Sequence, residues 1–185
     1  GEILDIPRLG SFNMHGSLLP RYRGRAPINW ALVHGETETG PTLHRMVKSA
    51  DAGDIVDQEA FAISSTDTAY DLTHKMGEAA VRVLIRQLPG LKEGRAPQRV
   101  QDESKATYFG GRSAKDSQID WNQTPLQIHN LIRAVPYPYL PPAFTYYKGK
   151  KLEVRANELP KGTALEQLAQ PGQVVDKGPS WLRIA

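Results

Sequence analysis

The sequence predicts an α/β unit followed by a small β-rich unit, and the order of its apolar patterns indicates this. Up to residue 112, short strand patterns alternate with helical patterns. After residue 117, one helical pattern precedes several short strand patterns separated by turn residues. The stretch 94–115 is rich in Gly, Ser and charged residues, which is typical of a connection between two units. We therefore predict two domains, residues 1–112 and 117–185.

Three strand patterns and two helical patterns are recognised in the first unit. The strands are Ser11–His15, Thr42–Val47 and Ile55–Ile63. The segment APINWALVHG has a proline suited to a first helical turn and a glycine suited to a C-terminal cap, which predicts a short helix. The second helix is predicted over Thr68–Leu88, closed by Pro89-Gly90, because it starts with a capping box and continues with helical apolar spacing.

The first unit contains fewer strand–helix alternations than a complete α/β sheet. We therefore expect that the chain begins within a fold.

The second unit begins with a capping pattern at Thr124-Pro125-Leu126-Gln127, which predicts a helix that PYPYLPP ends. A β-hairpin is predicted around Lys148-Gly149, and two short strands follow. The four predicted strands are Phe144–Tyr147, Lys151–Arg155, Gln173–Val175 and Trp181–Ile184.

Composition excludes several classes of protein. The 185 residues are 39% hydrophobic and include no cysteine, which excludes disulfide scaffolds, thiol catalysis and Cys-ligated zinc. No apolar run approaches the roughly 20 residues that span a bilayer, and GEILDIPRLG has no leader pattern, so we expect a cytoplasmic protein that does not bind membranes. The net charge of +3 fits an anionic partner such as a nucleotide, a polyglutamate tail or RNA, and equally an ordinary solvated surface.

The segment SFNMHGSLLPRYRG contains the strongest chemical pattern. Asn13, His15 and Ser17 alternate, which places three polar side chains on one side of a strand near its end, where open α/β sheets form a crevice. Asp51 follows the next strand and is the best partner for His15, because a carboxylate orients an imidazole and stabilises its charged form. An Asn amide can donate to an oxyanion.

Two other interpretations of this pattern stay open at this point. Asn13 and His15 can instead form hydrogen-bonded structure at a strand end. Ser17 as a covalent nucleophile is disfavoured, because the chain has no GxSxG elbow that would expose its oxygen.

The run FNMHGSLLPRYRGRAP, followed by ADAGDIV, resembles the catalytic core of the folate-dependent formyltransferases, which include the glycinamide ribonucleotide and methionyl-tRNA enzymes. The resemblance implies that Asn13, His15 and Asp51 are catalytic and that N10-formyltetrahydrofolate is the co-substrate. We predict no catalytic metal, because the other histidines show no metal-ligand spacing with acidic neighbours. It also implies that residues 1–112 are the C-terminal half of a Rossmann-like catalytic domain, without the upstream half. Residues 117–185 would form an incomplete OB-like β-barrel.

Within the family, YRGRAPINW, GETETGPTLHRMVKSADAGDIV and IRAVPYPY are similar to the polymyxin-resistance branch, which formylates UDP-4-amino-4-deoxy-L-arabinose. Arg25 stands where methionyl-tRNA enzymes usually have a small residue. The implied substrate-binding residues are Arg25, Arg133 and Tyr137, and PYLPPAFT departs from the Pro-Gly of relatives. Two alternative functions stay open: a methionyl-tRNA formyltransferase with tRNA as partner, and a noncatalytic nucleic-acid-binding fragment. Whether the protein forms a homo-oligomer also stays open.

Other polar and aromatic residues have both functional and structural interpretations. Arg21 and Arg23 can join Arg25 in a diphosphate clamp or belong to a solvated loop. Tyr137 and Tyr139 can stack on uracil or pack a loop. The remaining histidines are predicted to have surface or capping roles; they are His34, His44, His74 and His129.

Overall fold

The structure is a computed structural model that describes residues 2–138, 140–159 and 169–185. Its helices are α1 (Glu2–Asp5), α2 (Pro27–Val33), α3 (Ala69–Lys92) and α4 (Pro125–Ala134), with 3₁₀ turns at Glu103–Lys105 and Ala114–Ser117. Its strands are β1 (Phe12–His15), β2 (Arg23–Gly24), β3 (Glu38–Thr39), β4 (Thr42–Arg45), β5 (Ile55–Gln58), β6 (Phe61–Ala62), β7 (Tyr108–Phe109), β8 (Ala143–Tyr147), β9 (Lys150–Val154), β10 (Val174–Lys177) and β11 (Leu182–Ile184). No helix within the described ranges is long and apolar enough to cross a membrane.

The largest sheet has three antiparallel strands in the order β1-β4-β5. Phe12 and Met14 of β1 pack on a buried cluster that includes Val83 of α3, so one face of the sheet is covered by that helix. The alternation of strand side chains then places Asn13 and His15 on the opposite face. This arrangement leaves the polar face of β1 available for a site.

Helix α3 begins as predicted but ends later. Thr68 caps it through a reciprocal capping box with Asp71, which confirms the predicted start. Pro89-Gly90 was predicted to close the helix, but the helix continues to Lys92. The prediction was wrong because a proline in the last turn removes only one intrahelical N–H, and the Pro89 carbonyl still accepts from the Glu93 N–H. Gly94, with φ +67°, follows the helix in the left-handed conformation that commonly terminates helices.

The predicted strand Ile55–Ile63 is divided into β5 and β6. β5 pairs with β4, whereas β6 pairs with β3. The chain bends between them beside Gly40, where an added Cβ would lie 1.9 Å from the Glu59 carbonyl oxygen. The periodicity of the segment did not reveal this change of partner.

The two predicted units are in contact through helices. Leu32 of α2, Leu72 of α3 and Ala134 of α4 lie in one buried cluster. In addition, the Asn29 side chain donates to the Ala134 carbonyl at 2.7 Å. Helix α4, whose capping box at Thr124 was predicted, therefore packs against the first unit as well as its own.

The second unit contains the predicted hairpin, β8 with β9, whose turn residues Lys148 and Gly149 both have positive φ. β10 and β11 form a separate two-stranded sheet. The mixed α/β class is therefore observed, but the strands described here do not close into a barrel, and the OB-like barrel stays a prediction. The same holds for the domain limits 1–112 and 117–185.

Removing a buried side chain from the junction of the helices should destabilise the protein strongly. Leu32 is fully buried, and we expect Leu32→Ala to lower the free energy of unfolding by about 2–5 kcal/mol in urea titrations. The matched control is Leu84→Ala on the exposed face of α3, with an expected change of about 0.5 kcal/mol or less. Equal effects of the two substitutions would contradict the packing described.

Candidate active site

The polar side chains of the β1 segment have different partners. Asn13 lies opposite His44 in the β1–β4 register, and its Nδ2 is 3.3 Å from His44 Nε2. His15 is buried, and its Nε2 is 2.8 Å from the Tyr22 carbonyl oxygen. Ser17 Oγ donates to the Arg21 carbonyl at 2.7 Å, which ties the loop and leaves the hydroxyl in a structural role.

Asp51 is placed beside His15, as the spacing predicted. Its Oδ1 lies 3.5 Å from His15 Nδ1 and 3.4 Å from His44 Nε2. Its Oδ2 accepts from the Gly24 N–H at 2.8 Å. Asp51 was expected to reach His15 because neighbouring strands would deliver their loops to the same crevice, and that expectation was wrong. β1 and β4 are antiparallel, so their carboxyl ends do not meet. The loop after β4 instead folds back to bring Asp51 to His15.

The backbone of this loop is held in an unusual conformation. Asp51 has φ +52°, a left-handed value that costs free energy in residues other than glycine. Gly53 approaches the Arg45 carbonyl so closely that an added Cβ would lie 1.9 Å from its oxygen. Gln101 Nε2 donates to the carbonyl oxygens of both Asp51 and Gly53, at 2.7 Å each. The connecting segment therefore fixes the loop that presents the carboxylate.

Arg23 holds Gln101 in place. Its fully buried guanidinium donates to Gln101 Oε1 at 2.8 and 3.1 Å and pairs with Glu103 at 2.6 Å. Arg21 pairs with Glu36. A diphosphate clamp made of Arg21, Arg23 and Arg25 is therefore not what the structure contains, because the first two guanidinium groups are already paired.

The contacts of His15 define where its protons lie. A backbone carbonyl only accepts, so His15 Nε2 must donate to Tyr22. The opposite nitrogen, Nδ1, faces the Asp51 carboxylate. A proton between Nδ1 and Oδ1 turns a repulsive contact of lone pairs into a charge-assisted one. The pair is therefore arranged to hold and exchange one proton.

His44 was predicted to have a surface or capping role, and that prediction was wrong. It is buried, its Nδ1 donates to the Arg45 carbonyl at 2.9 Å, and its Nε2 can then accept from Asn13. Burial lowers the pKa of His44, although the Arg45 carbonyl and the Asp51 charge partly oppose this. The neutral ring orients the Asn13 amide, whose second N–H stays available. The antiparallel register opposite Asn13 is the signal that would have found it.

The three predicted substrate-binding residues lie in different places. Arg25 lines a cavity of about 520 Å³, one residue after Gly24. Arg133 does not line it, because its guanidinium donates to the carbonyls of Ser64 and Asp67 at 3.0 Å each. Tyr137 is half exposed, and the centre of its ring lies 3.9 Å from the Arg155 guanidinium carbon.

The roles of Arg133 and Tyr137 in substrate binding stay predictions, and Tyr139 lies outside the described residues. In the described part of the chain, no three His, Asp or Glu side chains converge in a way that could hold a metal ion.

An amide donor, an imidazole and a carboxylate beside one strand of an α/β fold define a class of group-transfer enzymes that act on a carbonyl without a covalent nucleophile. Family models give the narrower assignment. The formyl transferase model matches residues 1–88, and the model of the formyl transferase C-terminal domain matches residues 112–185. The chain belongs to the formyl transferase family.

Solved structures of related proteins agree with this family. WlaRD, a sugar 3N-formyl transferase solved in the presence of dTDP and 5-N-formyl-THF, is 31% identical over 66% of this chain and 45% of its own, with a TM-score of 0.62. An N-formyltransferase from Helicobacter canadensis, in complex with folinic acid and dTDP-3-aminofucose, is 29% identical over 76% of this chain and 52% of its own, with a TM-score of 0.66. The chain thus spans about half the length of these two proteins.

A methionyl-tRNA formyltransferase from Clostridium thermocellum is 22% identical over 82% of this chain and 64% of its own, with a TM-score of 0.63. At this identity, the likeness concerns the fold alone.

The buried neutral His44 should make stability depend on pH. Its folded-state pKa lies below the ordinary 6.5, so the unfolded chain takes up the proton first as the pH falls. The free energy of unfolding should therefore decrease below about pH 6.5, by up to about 1.4 kcal/mol per pH unit for one proton. Urea titrations at pH 8, 7, 6 and 5 would measure this.

The variant His44→Gln keeps polar groups but does not titrate. Its free energy of unfolding should therefore fall less on acidification, by up to about 1.4 kcal/mol per pH unit. His34, whose pKa is also lowered by burial, is present in both proteins and cancels in the comparison. Parallel pH profiles for the two proteins would contradict the assignment of a neutral His44.

Proposed function

We propose that this chain is part of an enzyme that transfers the formyl group of N10-formyltetrahydrofolate to the amine of a sugar nucleotide. The observation that supports it best is the group formed by Asn13, His15, His44 and Asp51, in which one carboxylate oxygen lies within 3.5 Å of both imidazoles. The two solved sugar N-formyltransferases, with a formylated folate and dTDP or a dTDP-sugar in their structures, support both the co-substrate and the acceptor class.

The proposed reaction is an acyl transfer between two nitrogens. The sugar amine attacks the formyl carbon, a C–N bond forms, and the bond from that carbon to N10 then breaks. The amine loses one proton and N10 gains one, so no oxidant or further reactant is required. A single group that accepts the first proton and returns one to N10 completes the balance.

Each residue of the group suits one of these tasks. The Asn13 amide, oriented by His44, has a second N–H for the oxyanion of the tetrahedral intermediate. The His15–Asp51 pair suits the proton exchange, since Nδ1 of the imidazole lies 3.5 Å from a carboxylate oxygen that can orient the ring and stabilise its charged form. A second oxyanion bond from His15 would require its Nε2 to leave the Tyr22 carbonyl, so we assign His15 mainly to proton exchange.

The acceptor we propose is UDP-4-amino-4-deoxy-L-arabinose, in the cytoplasmic steps of lipid A modification that lead to polymyxin resistance. The support is the sequence resemblance to that branch and the position of Arg25, which lines the cavity and directly follows the Gly24 that binds Asp51. The dTDP-linked amino sugar of the Helicobacter canadensis complex makes a dTDP-sugar the nearest competing acceptor. Methionyl-tRNA is a further candidate, favoured only by the shared fold.

The first experiment is a formyl-transfer assay on the intact protein with N10-formyltetrahydrofolate and three acceptors: UDP-4-amino-4-deoxy-L-arabinose, dTDP-3-aminofucose and methionyl-tRNA. We expect formylation of the UDP-sugar. Transfer only to the dTDP-sugar would change the acceptor and keep the reaction. Transfer only to tRNA would overturn the sugar-nucleotide proposal, and transfer to none would overturn the function.

The same assay tests the catalytic group. His15→Ala should lower kcat by about 10²- to 10⁴-fold, because it removes the acid/base pair. His74→Ala, an exposed histidine on α3, is the matched control and should leave kcat unchanged. Thermal melting checks that both variants fold. A folded His15→Ala variant with near-normal turnover would exclude the proposed role.

A further inference from the structure

The cavity lined by Arg25 lies between the first and second units. Its wall combines Arg25 and Asn29 from the first unit, Arg112 and Ser113 from the connecting segment, and apolar side chains that include Val135. Two guanidinium groups on one cavity of about 520 Å³ give it a positive character that suits an anionic ligand.

Arg112 is the unusual member of this wall. Its Nε and Nη1 are buried and have no hydrogen-bond partner among the described residues. Only Nη2 donates, to the Asp116 carbonyl at 2.5 Å. An arginine stays charged, and Arg112 lines the cavity with a guanidinium that has no carboxylate partner among the described residues, so an anion in the cavity would neutralise it.

The Arg112 guanidinium is nevertheless held in place. Its central carbon lies 4.7 Å from the centre of the Trp30 ring, which fixes the plane of the group by a cation–π contact. Burial lowers the pKa of Arg112, which is the direction expected for a cation that lacks a buried carboxylate partner. A side chain positioned in this way is preorganised for a ligand.

Arg25 completes the pair. Its guanidinium is next to the backbone of Gly111, where an added Cβ would lie 3.3 Å from Arg25 Cζ. No carboxylate pairs with Arg25 in the part of the chain that the structure describes. Arg25 also directly follows Gly24, whose N–H binds Asp51, so this wall of the cavity is linked through the chain to the Asp51 carboxylate.

We propose that Arg25 and Arg112 together bind the diphosphate of the sugar-nucleotide acceptor, with Trp30 positioning Arg112. The assignment rests on the proposed function. Two guanidinium forks match the charge and the oxygen geometry of a diphosphate. In such an acceptor the sugar links the diphosphate to the amine, and Arg25, next in sequence to the Gly24 that binds Asp51, connects the two parts of the site.

The test is binding of UDP and dTDP to the intact protein by calorimetry, with inorganic pyrophosphate as competitor and uridine as a ligand without phosphate. Arg112→Ala should weaken UDP binding about 10- to 100-fold and leave uridine binding unchanged. Arg112→Lys should recover part of the loss, because it restores the charge without the fork. Arg95→Ala, an exposed arginine paired with Glu93, is the control and should bind UDP normally.

Several outcomes would overturn the assignment. They are a wild-type protein that binds neither UDP nor dTDP, and a folded Arg112→Ala variant with unchanged affinity for both. A rise in KM for the formylfolate alone would instead assign the arginine to the carboxylates of the folate tail. UDP binding can be measured without turnover. If UDP binding depends on Arg112 but no formyl transfer is found, the proposed function is refuted and the diphosphate assignment stands. Transfer with an unchanged acceptor KM in Arg112→Ala would refute this inference only.

Discussion

The Asp51 carboxylate is the group on which the rest of the site depends. One oxygen is fixed by the Gly24 N–H, and the other faces both His15 and His44. Because the Asp51 charge faces both imidazoles, a shift of the loop would change the electrostatic environment of His15 and His44 together. The left-handed backbone at Asp51 is therefore a constraint that the surrounding chain has to maintain.

That constraint is maintained from a distant part of the sequence. Gln101 holds the loop carbonyls, Arg23 holds Gln101, and Glu103 neutralises Arg23. Breaking such a buried network at one member leaves charged or polar groups without partners, which costs more than the loss of one bond. β7 pairs in parallel with β2, so the connecting segment is a structural part of the active site.

Features encoded by neighbouring residues could be predicted from the sequence, and features that depend on distant pairings could not. The capping boxes at Thr68 and Thr124 are local patterns, and both mark observed helix starts. His44 looked like a surface histidine because only the pairing with β1, 31 positions away in sequence, places it beside Asn13. Nothing in the sequence around Arg112 distinguishes it from a solvated linker residue, since its position depends on Trp30 of another element.

The residues around Asp51 and the residues of the cavity wall come from different parts of the chain. Asn13, His15, His44 and Asp51 lie on β1, on β4 and in the loop that follows β4. The cavity lined by Arg25 is bounded by the connecting segment and by residues such as Val135 at the end of α4. A change in how α4 packs on α2 would thus alter the cavity while leaving the His15–Asp51 contact intact.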